Sequence, residues 1–277
     1  MAGGQKAAYL LLHIVVFYYL LFSSRARASA SHYIARRFPD ASGFIALTHT
    51  YRLIYNLGQV LIDSAAVSIR GTSAMKATCP DQELLCDLIN KNRNENRGVI
   101  LLMSHVGCWQ AAMSALDFIK VPLNMVMQIA KDHDNYHLLR QKSSNIKVID
   151  AEGYLGGTLE IMKALARAEG IAVMGDRLFD KEKNGLRAEF LGAEAIFPYS
   201  AFRIASATGA PVLVLFAVKL GSVDYSVRLA RVILVPPGLG RKKEAYQAFL
   251  NEYIDALETY CDEFPYQFFN FYNMWEL

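Results

Sequence analysis

Between residues 98 and 174, four short apolar runs alternate with segments of helical periodicity. The apolar runs cover residues 98–103, 122–127, 146–149 and 171–174. The helical segments between them cover residues 108–119, 133–142 and 157–168. Short runs rich in leucine and β-branched residues are typical of buried strands. Their alternation with helices predicts a mainly parallel sheet with right-handed crossovers.

The flanking sequence extends this pattern on both sides. Upstream, we predict a basic, partly helical connector at 23–41, a helix at 43–66, a short strand at 67–69 and a helix at 82–92. Downstream, we predict strands at 188–191, 211–218 and 225–235, and helices at 199–207 and 243–261. The fold class is therefore α/β, with a mainly parallel mixed sheet flanked by helices.

An apolar segment from Ala7 to Phe22 predicts an N-terminal membrane-anchoring helix. It is ~24 Å long at 1.5 Å per residue, so it either crosses a thinned bilayer or lies partly embedded in it. The arginines that follow it place the rest of the protein in the cytoplasm. We expect residues 1–24 to be the anchor and 25–277 to be one α/β domain. The alternatives are a cleaved signal peptide and an ordinary buried helix.

Composition narrows the functional class. Hydrophobic residues make up 53% of the chain and charged residues 20%, so a sizeable core with some membrane contact is expected. The net charge of +3 is too small to indicate nucleic-acid binding. The four cysteines fit no zinc-binding spacing, and free thiols in a cytosolic domain are favoured over disulfides.

The best candidate for chemistry is His105, in the segment SHVGCWQ directly after the apolar run that ends at Met103. Gly107 allows a tight turn, so His105 is predicted to lie where a strand gives way to a helix. Ligands bind at the carboxyl ends of strands in open α/β sheets. A histidine there can take a proton from a hydroxyl near neutral pH. An isolated structural histidine is the alternative.

A base of this kind needs a partner that fixes its tautomer and stabilises the imidazolium. The fifth position after His105 is Gln110, where an acid would be expected at His-x4-acid spacing. A glutamine amide can orient the ring, but it carries no charge to stabilise the protonated form.

The segment around His105 resembles the HxxxxE region of the bacterial lauroyl/myristoyl acyltransferases of lipid A biosynthesis, in the lysophospholipid acyltransferase superfamily. Three further segments resemble the same family, namely IAVMGDRLFD (171–180), EFLGAEAIFPYSAFRIASATGAPVLVLF (189–216) and PYQFFNFYNMW (265–275). With the N-terminal anchor and its arginines, the resemblance covers nearly the whole chain.

The resemblance implies transfer of a fatty acyl group from a thioester, on acyl carrier protein or coenzyme A, to a hydroxyl of a membrane lipid or glycolipid. His105 would be the general base, with no metal, no cofactor and no covalent acyl-enzyme. The site of action would be the cytoplasmic face of the bacterial inner membrane. An oxyanion would be stabilised by Arg177 or by backbone N–H groups of the turn after His105.

Gln110 departs from the family pattern and leaves three interpretations open. The site works with a neutral partner, or another carboxylate approaches His105, or the protein binds lipid without turning it over. Asp176 is the first candidate carboxylate and Asp150 the second, because both follow predicted strands. A structural ion pair with Arg177 or a turn cap is the alternative role for Asp176. An acyl-thioesterase with the same base is a further rival.

Basic and aromatic residues near the predicted site suit an anionic substrate with an alkyl chain. The substrate-binding candidates are Arg177, Arg203, Lys131, Arg140 and Trp109. The same basic groups could dock acidic acyl carrier protein or anionic headgroups of the bilayer. A solvated basic loop and a core tryptophan are the alternatives.

Overall fold

The computed structural model describes residues 2–128, 145–153, 157–178 and 185–276. Its α-helices are α1 (Ala2–Phe22), α2 (Ser24–Arg37), α3 (Gly43–Arg70), α4 (Gln82–Asn94), α5 (Trp109–Ala112), α6 (Thr158–Ala166), α7 (Ser200–Thr208) and α8 (Gln247–Glu263). Its strands are β1 (Lys76–Thr78), β2 (Val99–Met103), β3 (Leu123–Met127), β4 (Ile146–Asp150), β5 (Gly170–Met174), β6 (Gly185–Phe190), β7 (Ala193–Pro198), β8 (Val212–Lys219) and β9 (Asp224–Ile233). Short 3₁₀ helices cover Thr72–Ala74, Met113–Leu116 and Lys243–Tyr246.

Seven of the described strands form one sheet, in the order β1-β9-β8-β2-β5-β3-β4. All its neighbouring pairs are parallel except β8 with β9. Every residue of β2 and of β8 is buried, as expected for central strands covered on both faces. The predicted α/β class with a mainly parallel mixed sheet is confirmed.

Strand order and register position the carboxyl edge of the sheet. β2 lies between β8 and β5. In the β2–β5 pair Val99 lies opposite Gly170 and Met103 opposite Met174, so the two strands end side by side. Loops that leave these two ends therefore start about 5 Å apart.

Several predicted elements differ in extent or type. The strand expected at 67–69 is the last turn of α3, whose apolar stripe continues to Val67. The helix expected at 108–119 is only α5 followed by a 3₁₀ helix. Two short strands, β1 and β7, were not predicted, and the helix expected at 133–142 lies outside the described residues.

β6 and β7 form a separate antiparallel hairpin. Its two-residue turn has positive φ at both Leu191 and Gly192, the backbone of a type I′ turn.

After α8, the chain returns across the carboxyl edge of the main sheet. There Phe268 forms an antiparallel bridge with Val106, directly after His105. The C-terminus therefore covers the strand ends at which a ligand is expected to bind.

Helix α1 packs along α3. Its buried side chains recur every three or four residues, at Tyr9, Leu12, Val16 and Leu20. Gly58 of α3 lets the helices approach closely, since a Cβ there would lie 2.5 Å from Leu12. α1 is also the one helix in the described ranges that is long and apolar enough to cross a membrane, over Gly4–Phe22.

Buried polar contacts fix the N-terminal end of α1 to the domain. The Asp63 carboxylate, fully buried on α3, accepts hydrogen bonds from Gln5, Tyr9, Lys219 and Tyr225. Lys219 ends β8, so one carboxylate joins two helices and the sheet. Because these contacts are directional, they set the rotation of α1 about its axis.

All four cysteines are free thiols, as predicted. Cys108 and Cys261 are buried, and Cys79 and Cys86 are half-buried.

Candidate active site

The sheet brings His105 and Asp176 together. Each residue lies two positions beyond the end of its strand, and the strands β2 and β5 are parallel neighbours in register. Parallel strands carry equivalent positions side by side, so the two side chains emerge from the same edge of the sheet. A separation of 71 residues along the chain thus becomes direct contact.

Three hydrogen bonds join the two residues. His105 Nδ1 lies 2.9 Å from Asp176 Oδ1 and 3.1 Å from Oδ2. The backbone N–H of His105 donates to Asp176 Oδ2 at 3.1 Å. The carboxylate of Asp176 is fully buried, whereas the His105 side chain is 31% exposed. The imidazole is therefore fixed through Nδ1 and reaches the protein surface with its other edge.

The Asp176 carboxyl group is held in its ionised form. Burial by itself would raise its pKa. Electrostatic attraction to His105 and the hydrogen bonds from that residue, with an effect of Arg177, outweigh the burial and lower the pKa below its ordinary value. An ionised carboxylate at Nδ1 favours the tautomer that carries its proton on Nδ1 and leaves Nε2 as the acceptor.

The turn after His105 requires glycine. Gly107 has φ +54°, and a Cβ on it would lie 2.3 Å from the carbonyl oxygen of Ala217. The loop can therefore lie directly against β8 only without a side chain at this position. Behind it, the hydroxyls of Ser104 and Tyr253 are hydrogen-bonded at 2.6 Å in the buried interior. These contacts hold the backbone on both sides of His105 in place.

Gln110 does not hydrogen-bond the His105 ring in the described part of the chain. Its Oε1 instead accepts a hydrogen bond from Cys108 Sγ at 3.6 Å. The hydrogen-bond partner of His105 Nδ1 is Asp176 instead. The expectation that Gln110 orients the ring is thus replaced by a carboxylate from the neighbouring strand.

Asp150 is too distant to serve the same purpose. It ends β4, which is separated from β2 by β5 and β3. Three strand spacings amount to roughly 14 Å. Its Oδ1 accepts the backbone N–H of Glu152, as in an ordinary turn.

The substrate-binding candidates are distributed unevenly. Arg177 lies beside Asp176, where Nε donates to Asn270 at 2.7 Å and Nη2 to the carbonyl of Phe269 at 2.6 Å. Arg203 is exposed on α7 and contacts neither His105 nor Asp176 among the described residues. Trp109 starts α5 and is half-buried against the core. Lys131 and Arg140 lie outside the described residues.

The order of these elements along the chain agrees with one family. The model of the bacterial lipid A biosynthesis acyltransferases matches residues 5–275, almost the full length. The chain belongs to this family. A search of curated proteins found no match.

Membership in the lipid A biosynthesis acyltransferases identifies the protein as an acyltransferase of lipid biosynthesis. The family resemblance inferred from the motifs is thereby confirmed. The family match does not by itself assign the pair at the carboxyl edge of the sheet, whose chemistry follows from the geometry above.

Sequence reasoning missed the C-terminal residues that contact the pair. Asn270 Nδ2 donates to the Asp176 carbonyl at 3.3 Å, and Tyr272 OH donates to the same carbonyl at 3.2 Å. Burial, and then the neighbouring Asp176, raise the pKa of Tyr272 to about 12, so its hydroxyl keeps its proton. The aromatic segment 265–275 was the only sequence signal, and it gave no contact partner.

Proposed function

We propose that the protein is a membrane-associated O-acyltransferase that uses His105 as general base and Asp176 as its acidic partner. It would move a fatty acyl chain from a thioester, on acyl carrier protein or coenzyme A, to a hydroxyl of a lipid or glycolipid. The observation that carries the proposal is the 2.9 Å contact between His105 Nδ1 and the buried Asp176 carboxylate, with the ring open to solvent.

The reaction follows from this geometry. Nε2 of His105 takes the proton of the acceptor hydroxyl as its oxygen attacks the thioester carbonyl carbon. The buried Asp176 carboxylate stabilises the imidazolium that forms. The tetrahedral intermediate collapses with cleavage of the C–S bond, and the imidazolium returns its proton to the departing thiolate. The products are an ester and a free thiol.

The intermediate needs a donor for its oxyanion, and the expected donors are partly engaged. The N–H groups of Val106 and Gly107 donate to Ser104 and Gln267 carbonyls, at 2.8 and 3.0 Å. Arg177 donates Nε and Nη2 to the C-terminal segment. Among the described residues Nη1 of Arg177 has no hydrogen-bond partner, so a role for Arg177 in binding the oxyanion or an anionic headgroup rests on this atom.

The outer face of α1 suits the surface of a bilayer. The exposed large apolar side chains of this helix include Leu10, Ile14, Phe17 and Phe22, at 56–73% exposure. α3 adds exposed apolar side chains at Phe44, Ile45, Leu61 and Ile69. An apolar face this wide is characteristic of a membrane-binding surface.

The attachment of α1 at both ends favours a helix that lies in the membrane plane. Gln5 contacts the domain at Asp63, and Leu20, near the other end of the helix, is buried. A helix whose two ends meet the same domain does not carry one end across a bilayer. We propose residues 1–24 as the membrane-binding segment and 25–277 as the acyltransferase domain. The free cysteines and the arginines after α1 support the cytoplasmic face of the bacterial inner membrane.

The proposal is tested with His105→Ala and Asp176→Asn in the full chain. Each purified variant is incubated with acyl carrier protein or coenzyme A thioesters and a membrane lipid extract. We expect His105→Ala to lose transfer and Asp176→Asn to lower kcat roughly 10³- to 10⁴-fold, as loss of the acid does in serine proteases.

His32→Ala is the matched control, because His32 on α2 makes no hydrogen bond or ion pair with His105 or Asp176 among the described residues and should leave turnover unchanged. Mass spectrometry of the products separates acylated lipid from the free fatty acid that a thioesterase would release. Transfer by His105→Ala at the wild-type rate would remove the mechanism.

A further inference from the structure

We infer that Asn270 is a positioning residue for the His105–Asp176 pair, acting through the backbone of Asp176. This inference rests on the proposed function, since it concerns the same pair. It assigns to the C-terminal segment, here residues 267–272, a role that the family-like motif at 265–275 did not indicate.

The His105–Asp176 pair needs a further contact to hold it, because the backbone hydrogen bonds between β2 and β5 end before these two residues. Gly175 N–H donates to the Met103 carbonyl at 2.8 Å, one residue short of Asp176. Beyond that point, among the described residues, the two loops are joined to each other only by the hydrogen bonds between His105 and Asp176. Their separation would therefore vary without a third element to hold them.

The C-terminal segment holds the histidine loop through its backbone. Phe269 N–H donates to the His105 carbonyl at 2.8 Å, and Gly107 N–H donates to the Gln267 carbonyl at 3.0 Å. Together with the antiparallel bridge at Val106, these bonds extend the sheet by one short strand over the loop. They leave the aspartate loop to be fixed separately.

The aspartate loop is fixed by the Asn270 side chain. Its Nδ2 donates to the Asp176 carbonyl at 3.3 Å, and its Oδ1 accepts from Arg177 Nε at 2.7 Å. Asn270 is 3% exposed, so both ends of its amide are used in the protein interior. Tyr272 adds a second donor to the Asp176 carbonyl. Asn270 is thus the side chain that ties two consecutive residues of this loop to the segment holding His105.

The functional consequence is the alignment of the carboxylate with Nδ1. If the Asp176 backbone moves, the carboxylate moves with it, while His105 stays attached to Phe269 and Gln267. A misplacement of about 1 Å at a reacting group can cost roughly 100-fold in rate. Loss of Asn270 should therefore weaken catalysis without removing any group that touches the substrate.

The test compares Asn270→Ala with Asn273→Ala. Asn273 belongs to the same stretch of chain, but it bonds Glu276 and the Trp275 N–H rather than the pair. Four quantities are measured for each variant: kcat, KM, the thermal midpoint, and the titration of the His105 imidazole followed by ¹⁵N NMR. The His105 signal is assigned by its absence in His105→Ala.

For Asn270→Ala we expect kcat to fall about 10- to 100-fold with KM little changed. We also expect the His105 titration midpoint to differ from that of the wild type, because the carboxylate is displaced from Nδ1. Asn273→Ala should match the wild type in both. If Asn270→Ala does not fold, Tyr272→Phe removes only the second donor and should change both quantities in the same direction by less.

Two results would overturn the inference. One is an Asn270→Ala protein with wild-type kcat and titration midpoint. The other is a loss of kcat that follows the thermal midpoint while the His105 titration stays unchanged, since that would show a purely structural role. The NMR titration does not depend on acyl transfer, so failure of the proposed function, seen as turnover by His105→Ala, is distinguishable from failure of this inference.

Discussion

His105 obtains its acidic partner from a neighbouring strand rather than from the helix that follows it. An acid at His-x4 spacing would be residue 110, the fifth position after His105, where this chain has glutamine. The parallel register of β2 and β5 brings Asp176 to Nδ1 instead. Because Asp176 supplies the carboxylate at Nδ1, this contact does not require an acid at position 110.

Substitution of Gln110 tests this arrangement. We expect Gln110→Glu to change kcat by less than about threefold, because Nδ1 is already occupied by a buried carboxylate. The measurement is the steady-state rate of lipid acylation, with Gln110→Ala beside it to show any effect of losing the contact with Cys108. A rise of tenfold or more in Gln110→Glu would mean that Asp176 is an inadequate partner.

At the scale of elements, Glu169 connects three strands at the amino edge of the sheet. It precedes β5 and accepts hydrogen bonds from Asn124 of β3, Lys147 of β4 and Arg167. The hydrogen bond from Arg167 outweighs the effect of burial and, with Asn124 and Lys147, lowers the pKa of Glu169 from 4.5 to about 2. Between about pH 2 and pH 4.5, the Glu169 carboxylate is therefore ionised in the folded protein and protonated in the unfolded chain.

This pKa predicts how stability depends on pH. Because the folded pKa is depressed, the contribution of Glu169 is complete above pH 4.5 and is lost as the pH falls toward 2. We expect Glu169→Gln to lower the free energy of unfolding by about 1–2 kcal/mol at pH 7, since water screens its exposed partners. Denaturant unfolding at pH 7, 5 and 3 should show the gap closing. A gap that is constant with pH would contradict the prediction.

At the scale of the whole molecule, the buried hydrogen bonds of Asp63 and the exposed apolar face of α1 define which side of the protein would face a membrane. Asp63 fixes the rotation of α1, so its buried stripe faces the domain and Ile14 faces outward. The carboxyl edge of the sheet carries the His105–Asp176 pair. The orientation at a membrane would thus follow from the fold rather than from a flexible tether.

Vesicle binding tests the outward face. We expect Leu10→Glu with Ile14→Glu to weaken binding to phosphatidylethanolamine–phosphatidylglycerol vesicles by about tenfold or more, because each apolar side chain contributes about 1.5–3 kcal/mol on burial. The control is Leu84→Glu, an exposed leucine on α4. Sedimentation measures bound protein, and the thermal midpoint confirms folding. Wild-type binding by the double variant would place the membrane surface elsewhere.

Local sequence patterns were enough to predict most helices and strands. Apolar runs identified the strands β2, β3, β4, β5 and β8 to within a few residues, because the strands of a mainly parallel sheet flanked by helices are mostly apolar. The sequence also determined that His105 follows a strand and that the first helix is apolar over most of its length. Both are local properties, which composition and spacing express directly.

Which strands lie next to each other is known from the three-dimensional fold and not from the local patterns. Asp176 was the first candidate carboxylate and Asp150 the second, but both were chosen for the same reason, a place at the end of a predicted strand. The order β2-β5-β3-β4 puts Asp176 next to His105 and Asp150 at the far edge. The same applies to Asn270, which meets Asp176 from 94 residues away, and to α1, whose stripe has meaning only once α3 lies beside it. Pairing of this kind depends on packing between distant segments, which no local pattern of residues records.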